Sequence, residues 1–137
     1  MPPLTLSLPA VTVTTKIDAM SPKRVEFLAD LITTAVEGGI NYWSSVANYQ
    51  WRAGPATTSV TVRDDEGGEG KAWHLDVEVI GAALEKLLTD PLACKVHVNN
   101  VKILWAASAT NGEAEVPDAG AADLVVQVAC FGEVIYG

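Results

Sequence analysis

Basic residues are scarce in this sequence and unevenly placed. Nine lysines and arginines face 17 aspartates and glutamates across 137 residues, a net charge of −8. No Lys or Arg follows Lys102, whereas Glu113, Glu115, Asp118, Asp123 and Glu133 do. A protein that tracks a phosphate backbone needs a basic footprint, so nucleic acid is not an expected partner. The acidic C-terminal part could meet a basic partner or mimic DNA, but a solvated surface is the plainer account. Cysteine is sparse too. Cys94 and Cys130 form no Cys-x-x-Cys pair and sit among apolar residues. Free buried thiols in a reducing compartment explain them most simply, and their pairing stays open. No run approaches the ~18 apolar residues of a membrane span. Met1 to Leu6 lacks the basic start of a signal peptide, so the expectation is a cytoplasmic protein with no membrane partner.

Catalytic signatures are missing as well. The sequence has no phosphate-cradling Gly-x-x-x-x-Gly-Lys-Ser/Thr loop, no Gly-x-Gly-x-x-Gly, no His-Glu-x-x-His and no Gly-x-Ser-x-Gly elbow. Gly67-Gly68-Glu69-Gly70 is glycine-rich, but its acidic neighbours would repel phosphate, and a hairpin turn fits better. His74 lies two residues before Asp76, and a metal there would need a third ligand such as Asp64 or Asp65. A strand-surface histidine without metal is the simpler account. Cys94 and His97 lack the oxyanion motif that a nucleophile–base pair would want. No cofactor and no metal is expected, and catalysis is less favoured than binding.

What is present is the pattern of one α+β domain. The length fits a single domain able to bury roughly two-thirds of its unfolded surface. Residues 1–20 read as an extended arm or strand, with three prolines by residue 9 and Val11, Val13 and Ile17 among threonines. Residues 21–137 read as the domain. Ser21-Pro22 caps a helix whose apolar stripe runs Val25, Leu28, Ile32, Ala35, and Gly38-Gly39 stops it. A strand from about 45 to 52 follows, with Trp43, Tyr49 and Trp51 sharing parity. A second strand spans Thr58 to Arg63, a turn spans Asp64 to Gly70, and a third strand begins at Lys71. Asp76 caps a helix ending at Asp90-Pro91. Residues 98–109 form a third helix, and Asp118 caps a fourth that reaches Phe131 and closes at Gly132. The expected architecture is an antiparallel sheet of three or more strands with about four helices.

Two stretches carry the functional argument. Half of the four Trp and two of the three Tyr lie within residues 42–51. The other stretch is the last helix and its tail, where Asp123 and Gln127 lie one turn apart on an otherwise apolar helix. A buried amide must be hydrogen-bonded. It either fixes a neighbouring backbone, the favoured account, or faces a ligand. The aromatics either pack the sheet or line a pocket.

Gly38-Gly39-Ile40-Asn41-Tyr42-Trp43 resembles the Gly-Gly-Ile-Gly-Tyr-Trp run of small uncharacterised proteins of actinobacterial phages and prophages. Residues 122–137 resemble that family's ending, Ala-Asp-x-Val-Val-Gln-x-Ala-x-Phe-Gly-Glu-Val-Val-Tyr-Gly. Asn41 and Ile135 depart mildly from it. The resemblance covers about residues 25–137 and brings no activity with it. It implies a phage accessory protein and nothing finer. The acidic surface and the missing catalytic set add the expectation of a non-enzymatic protein in the host cytoplasm, binding a host protein or a small molecule. One alternative is an enzyme, or a protein that binds or sequesters a nucleotide-like ligand, with Tyr42, Trp43, Asp123, Gln127 and Glu133 as its pocket. Another is a minor virion component. Homo-oligomerisation is left open.

Overall fold

The computed structural model describes residues 16–137. Among these residues, four helices pack with a three-stranded antiparallel sheet, the α+β architecture that the sequence pattern leads one to expect. The helices are α1 (Pro22–Thr34), α2 (Val77–Thr89), α3 (Val98–Ala109) and α4 (Ala119–Phe131). The strands are β1 (Ser44–Gln50), β2 (Ser59–Asp64) and β3 (Ala72–Asp76), in the order β1-β2-β3. The proposed strand around Val11 lies outside the described residues. Ile17–Ala19 is a 3-10 turn, and the Ile17 N–H donates to Glu78 on α2.

Local chemistry sets the helix starts. The Ser21 hydroxyl accepts from Arg24 N–H, Asp76 from Val79 N–H and Asp118 from Ala121 N–H, each satisfying one orphan donor of a first turn. His97 performs the same task for α3, with its Nδ1 accepting from Asn99 N–H. Alternation decides the sheet faces. Val60, Val62 and Leu75 are buried beneath the helices, while Arg63 and His74 point outward and are exposed. α4 is buried around most of its circumference and occupies the centre, packed against α2 and α1.

Simple periodicity fails at two places, the end of α1 and the middle of β1. The helical run does end at the glycines, but not as a plain α-helix. It widens into a π turn over Ala35–Gly39, closed by Ile40 N–H donating to Ala35 C=O. A Cβ at Gly39 would lie 2.6 Å from the Ala119 carbonyl, so only glycine lets this turn sit on the start of α4. In β1, a bulge between Ala47 and Gln50 centres on Asn48, whose φ is 53°. It breaks the expected parity. Tyr49 turns inward and donates its hydroxyl to Thr33 on α1, Trp43 precedes the strand, and Trp51 lies beyond it, half exposed.

Candidate functional site

Tyr42 and Trp43 leave the π turn pointing at one carboxylate. Asp123, 5 % exposed on α4, accepts from the Trp43 indole N–H at 2.8 Å and from the Tyr42 hydroxyl at 2.6 Å. The Gln127 amide, one turn further along, donates to the same carboxylate at 3.0 Å. Among the described residues no cation pairs with Asp123. Three donors hold the charge instead, as charge-assisted hydrogen bonds can. The Tyr42 hydroxyl is pushed up to about 12, by burial first and then by the Asp123 charge that holds its proton.

Gln127 is fully buried and faces two ways. Its carbonyl oxygen accepts from two successive backbone N–H groups, Ile135 and Tyr136, each at 2.8 Å. Its amide also donates to the Tyr136 carbonyl at 3.1 Å. One side chain thus holds the backbone of the segment after α4, as a strand partner would. Gly132 starts that segment in a left-handed conformation, φ 79°, and Val134 N–H donates to Cys94 C=O. The Tyr136 hydroxyl then reaches Asp64 at the end of β2. Asp64 also accepts from Glu66 and Gly67 N–H, so the same carboxylate shapes the β2–β3 turn.

Rings fill the space between these polar links. Trp43 stacks on Tyr136 with centroids 5.6 Å apart and tilts against Phe131 at 5.4 Å. Phe131 meets the edge of Trp73 at 4.9 Å. Trp43 is 1 % exposed. The π turn, α4, the tail and the β2–β3 turn are thereby joined in one clasp.

Of the five residues singled out from the sequence, the structure brings four together: Tyr42, Trp43, Asp123 and Gln127. Glu133 stands apart, in an exposed ion pair with Lys95. Sequence reasoning missed Tyr136 and Asp64. Tyr136 lay in the same motif, and a buried amide nine residues before a Tyr-Gly ending was the available signal. The local sequence marks Asp64 only as part of a turn and as a possible third metal ligand beside His74 and Asp76.

The remaining candidates are spent elsewhere. Asp76 caps α2 and His97 caps α3. No group of three or more His, Cys, Asp or Glu among the described residues could hold a metal ion. Both cysteines are free thiols. Burial, aided by the Asp64 charge, pushes Cys130 up to about 12, and burial raises Cys94 as well. Neither supplies thiolate readily near neutrality. Among the described residues no helix is long and apolar enough to cross a membrane. Comparison of the chain with protein-family models, with curated proteins and with solved structures finds no match.

Proposed function

We propose that this is a non-enzymatic accessory protein that acts by binding a host protein, in the setting that the resemblance to actinobacterial phage proteins implies. That setting is the host cytoplasm. One observation carries the proposal: Asp123 and Gln127, the buried polar side chains of the motif, are used up inside the molecule. Gln127 has its carbonyl on two tail N–H groups and its amide on Asp123 and the tail. Asp123 has its oxygens on Tyr42, Trp43 and Gln127. A ligand would have to displace the tail to reach them. The motif therefore supports stability, and recognition falls to the outer surface. The net charge of −8 favours a basic protein partner over nucleic acid.

The test uses the full chain as bait in a lysate of an actinobacterial host, beside a thermal-shift screen of nucleotides and metabolite fractions. The proposal expects one saturable protein partner and no small-molecule shift. A nucleotide that raises the wild-type midpoint, with that rise lost in Gln127→Ala, would favour a ligand pocket and overturn it. So would the absence of any retained protein.

A further inference from the structure

Arg24 is a buried cation that pairs with no carboxylate among the described residues. Its guanidinium, 7 % exposed, donates to the Ser108 carbonyl at 2.8 Å, to the Ser108 hydroxyl at 2.9 Å and to the Asn111 side-chain oxygen at 3.1 Å. It ties α1 to the end of α3, where orphan carbonyls and the helix dipole welcome a positive charge. It also fixes the loop over residues 110–117 against α1. That loop is stiffened further by Gly112 N–H on Ala107 C=O and Ala114 N–H on the Thr110 hydroxyl. Gly112, at φ 87°, lies so close to Phe27 that a Cβ there would touch the ring at 3.4 Å.

Between loop and helix a cleft of about 110 Å³ is left open. Phe27 and Leu31 of α1 and Val116 and Pro117 of the loop line it, and the exposed Asp30 is among the lining residues. Val116 is 75 % exposed. A drug-sized ligand needs a pocket of about 300–1,000 Å³, so this cleft has room for one aliphatic side chain. Asp30 makes no ion pair among the described residues. Its carboxyl is raised by partial burial and then by Glu26, one turn away. Arg24 does not relieve it, being committed to Ser108 and Asn111. Glu113 and Glu115 add negative charge along the loop, and Lys23 is already tied to Glu113.

From this cleft we infer that the α1–loop surface is the docking site for a lysine on a basic partner segment. The lysine stem lies between Phe27 and Val116, and its ammonium meets Asp30. Long cationic side chains bury their methylenes and keep the head at the polar rim, which matches an apolar slot with an exposed carboxylate in its lining. Lysine suits the site better than arginine. One carboxylate is offered there to a point charge, and the Asn111 oxygen that could have widened the acceptor set is held by Arg24. The inference rests on the protein-binding function proposed above and names the surface that performs it.

The test is an NMR titration of the 15N-labelled full chain with n-butylammonium, the lysine side chain in isolation, and with n-butanol as its neutral counterpart. Saturable shifts are expected at the Leu31, Asn111 and Gly112 amides. Affinity should fall about fivefold for n-butanol, and about fivefold for n-butylammonium in Asp30→Asn, the scale of one partly exposed charge pair. Asp30 is exposed and its side chain makes no hydrogen bond among the described residues, so the variant keeps the fold. Shifts that map elsewhere, or that do not distinguish the ammonium from the alcohol or wild type from variant, overturn the assignment. Lysate capture that persists in Asp30→Asn removes this surface and leaves the protein-binding function standing. Failure of wild type to capture anything removes that function, whatever the titration shows.

Discussion

Asp123 is the hub of the clasp, and two substitutions there separate its shape from its charge. In Asp123→Ala the Trp43 indole N–H, buried with its ring, loses its acceptor. Gln127 keeps the Tyr136 carbonyl but loses Asp123. Tyr42 is 52 % exposed and turns its hydroxyl to water at little cost. Two buried donors left short at about 1–3 kcal/mol each give a loss of roughly 2–6 kcal/mol. For a chain of 137 residues that lowers the thermal midpoint by about 7–21 °C. Asp123→Asn should cost far less, about 1 kcal/mol. One carboxylate oxygen already accepts from both Trp43 and Gln127, and the asparagine oxygen can stand in its place. The new amide then faces Tyr42, whose hydroxyl can accept as well as donate. Urea denaturation with fluorescence from the buried Trp43 measures both variants. An Asp123→Ala loss below about 1 kcal/mol would refute the clasp as a source of stability. Equal losses in the two variants would refute the assignment of its donors.

Three further outcomes rest on the same geometry. Gly39→Ala, which forces a Cβ against the Ala119 carbonyl, should destabilise by about 1–3 kcal/mol in the same assay. Gly38→Ala, whose Cβ would find only the Ala119 methyl at 4.0 Å, should not share that clash. Tyr42 is raised in the folded state from 10.0 to about 12, so its contribution is complete below pH 10 and is lost as pH climbs toward 12. The fall in thermal midpoint over that window should be shallower in Tyr42→Phe than in wild type; parallel curves would contradict it. Cys94 and Cys130 should resist iodoacetamide at pH 8 in the native protein and react fully in urea, as mass spectrometry would record. Rapid native labelling of either would show that its burial has been misjudged.

Much of the fold could be read from short spacings because its causes are local. Ser21, Asp76 and Asp118 sit where a cap must sit, and Gly67 to Gly70 can only turn among those acids. The failures have non-local causes. Gly38-Gly39 does end the helical run, but the widening of its last turn into a π turn, and the Ala119 carbonyl eighty residues on that leaves room only for glycine at Gly39, carry no local signal. The bulge at Asn48 shifts Tyr49 to the inner face, and no alternation rule anticipates an extra residue in one strand. Gln127 stood out as polar on an apolar helix. Its partners were hidden, since a side chain that binds the backbone of Ile135 and Tyr136 leaves no mark in the identity of those residues. Glu133 was grouped with the site only because it shares the motif, and sharing a motif does not place a side chain.

The most direct measurement of the clasp is hydrogen exchange at the Ile135 and Tyr136 amides, in wild type and in Gln127→Leu. Both amides donate to one buried side-chain oxygen, and Ile135 itself is 53 % exposed. Protection there reports on Gln127 and on little else. In wild type both should exchange slowly. In Gln127→Leu both should exchange at least about tenfold faster, the worth of one net hydrogen bond, while the amides of the α4 interior stay protected. Exchange at the free-peptide rate in wild type, or unchanged protection in the variant, would contradict the claim that this motif is spent on holding the chain's own tail.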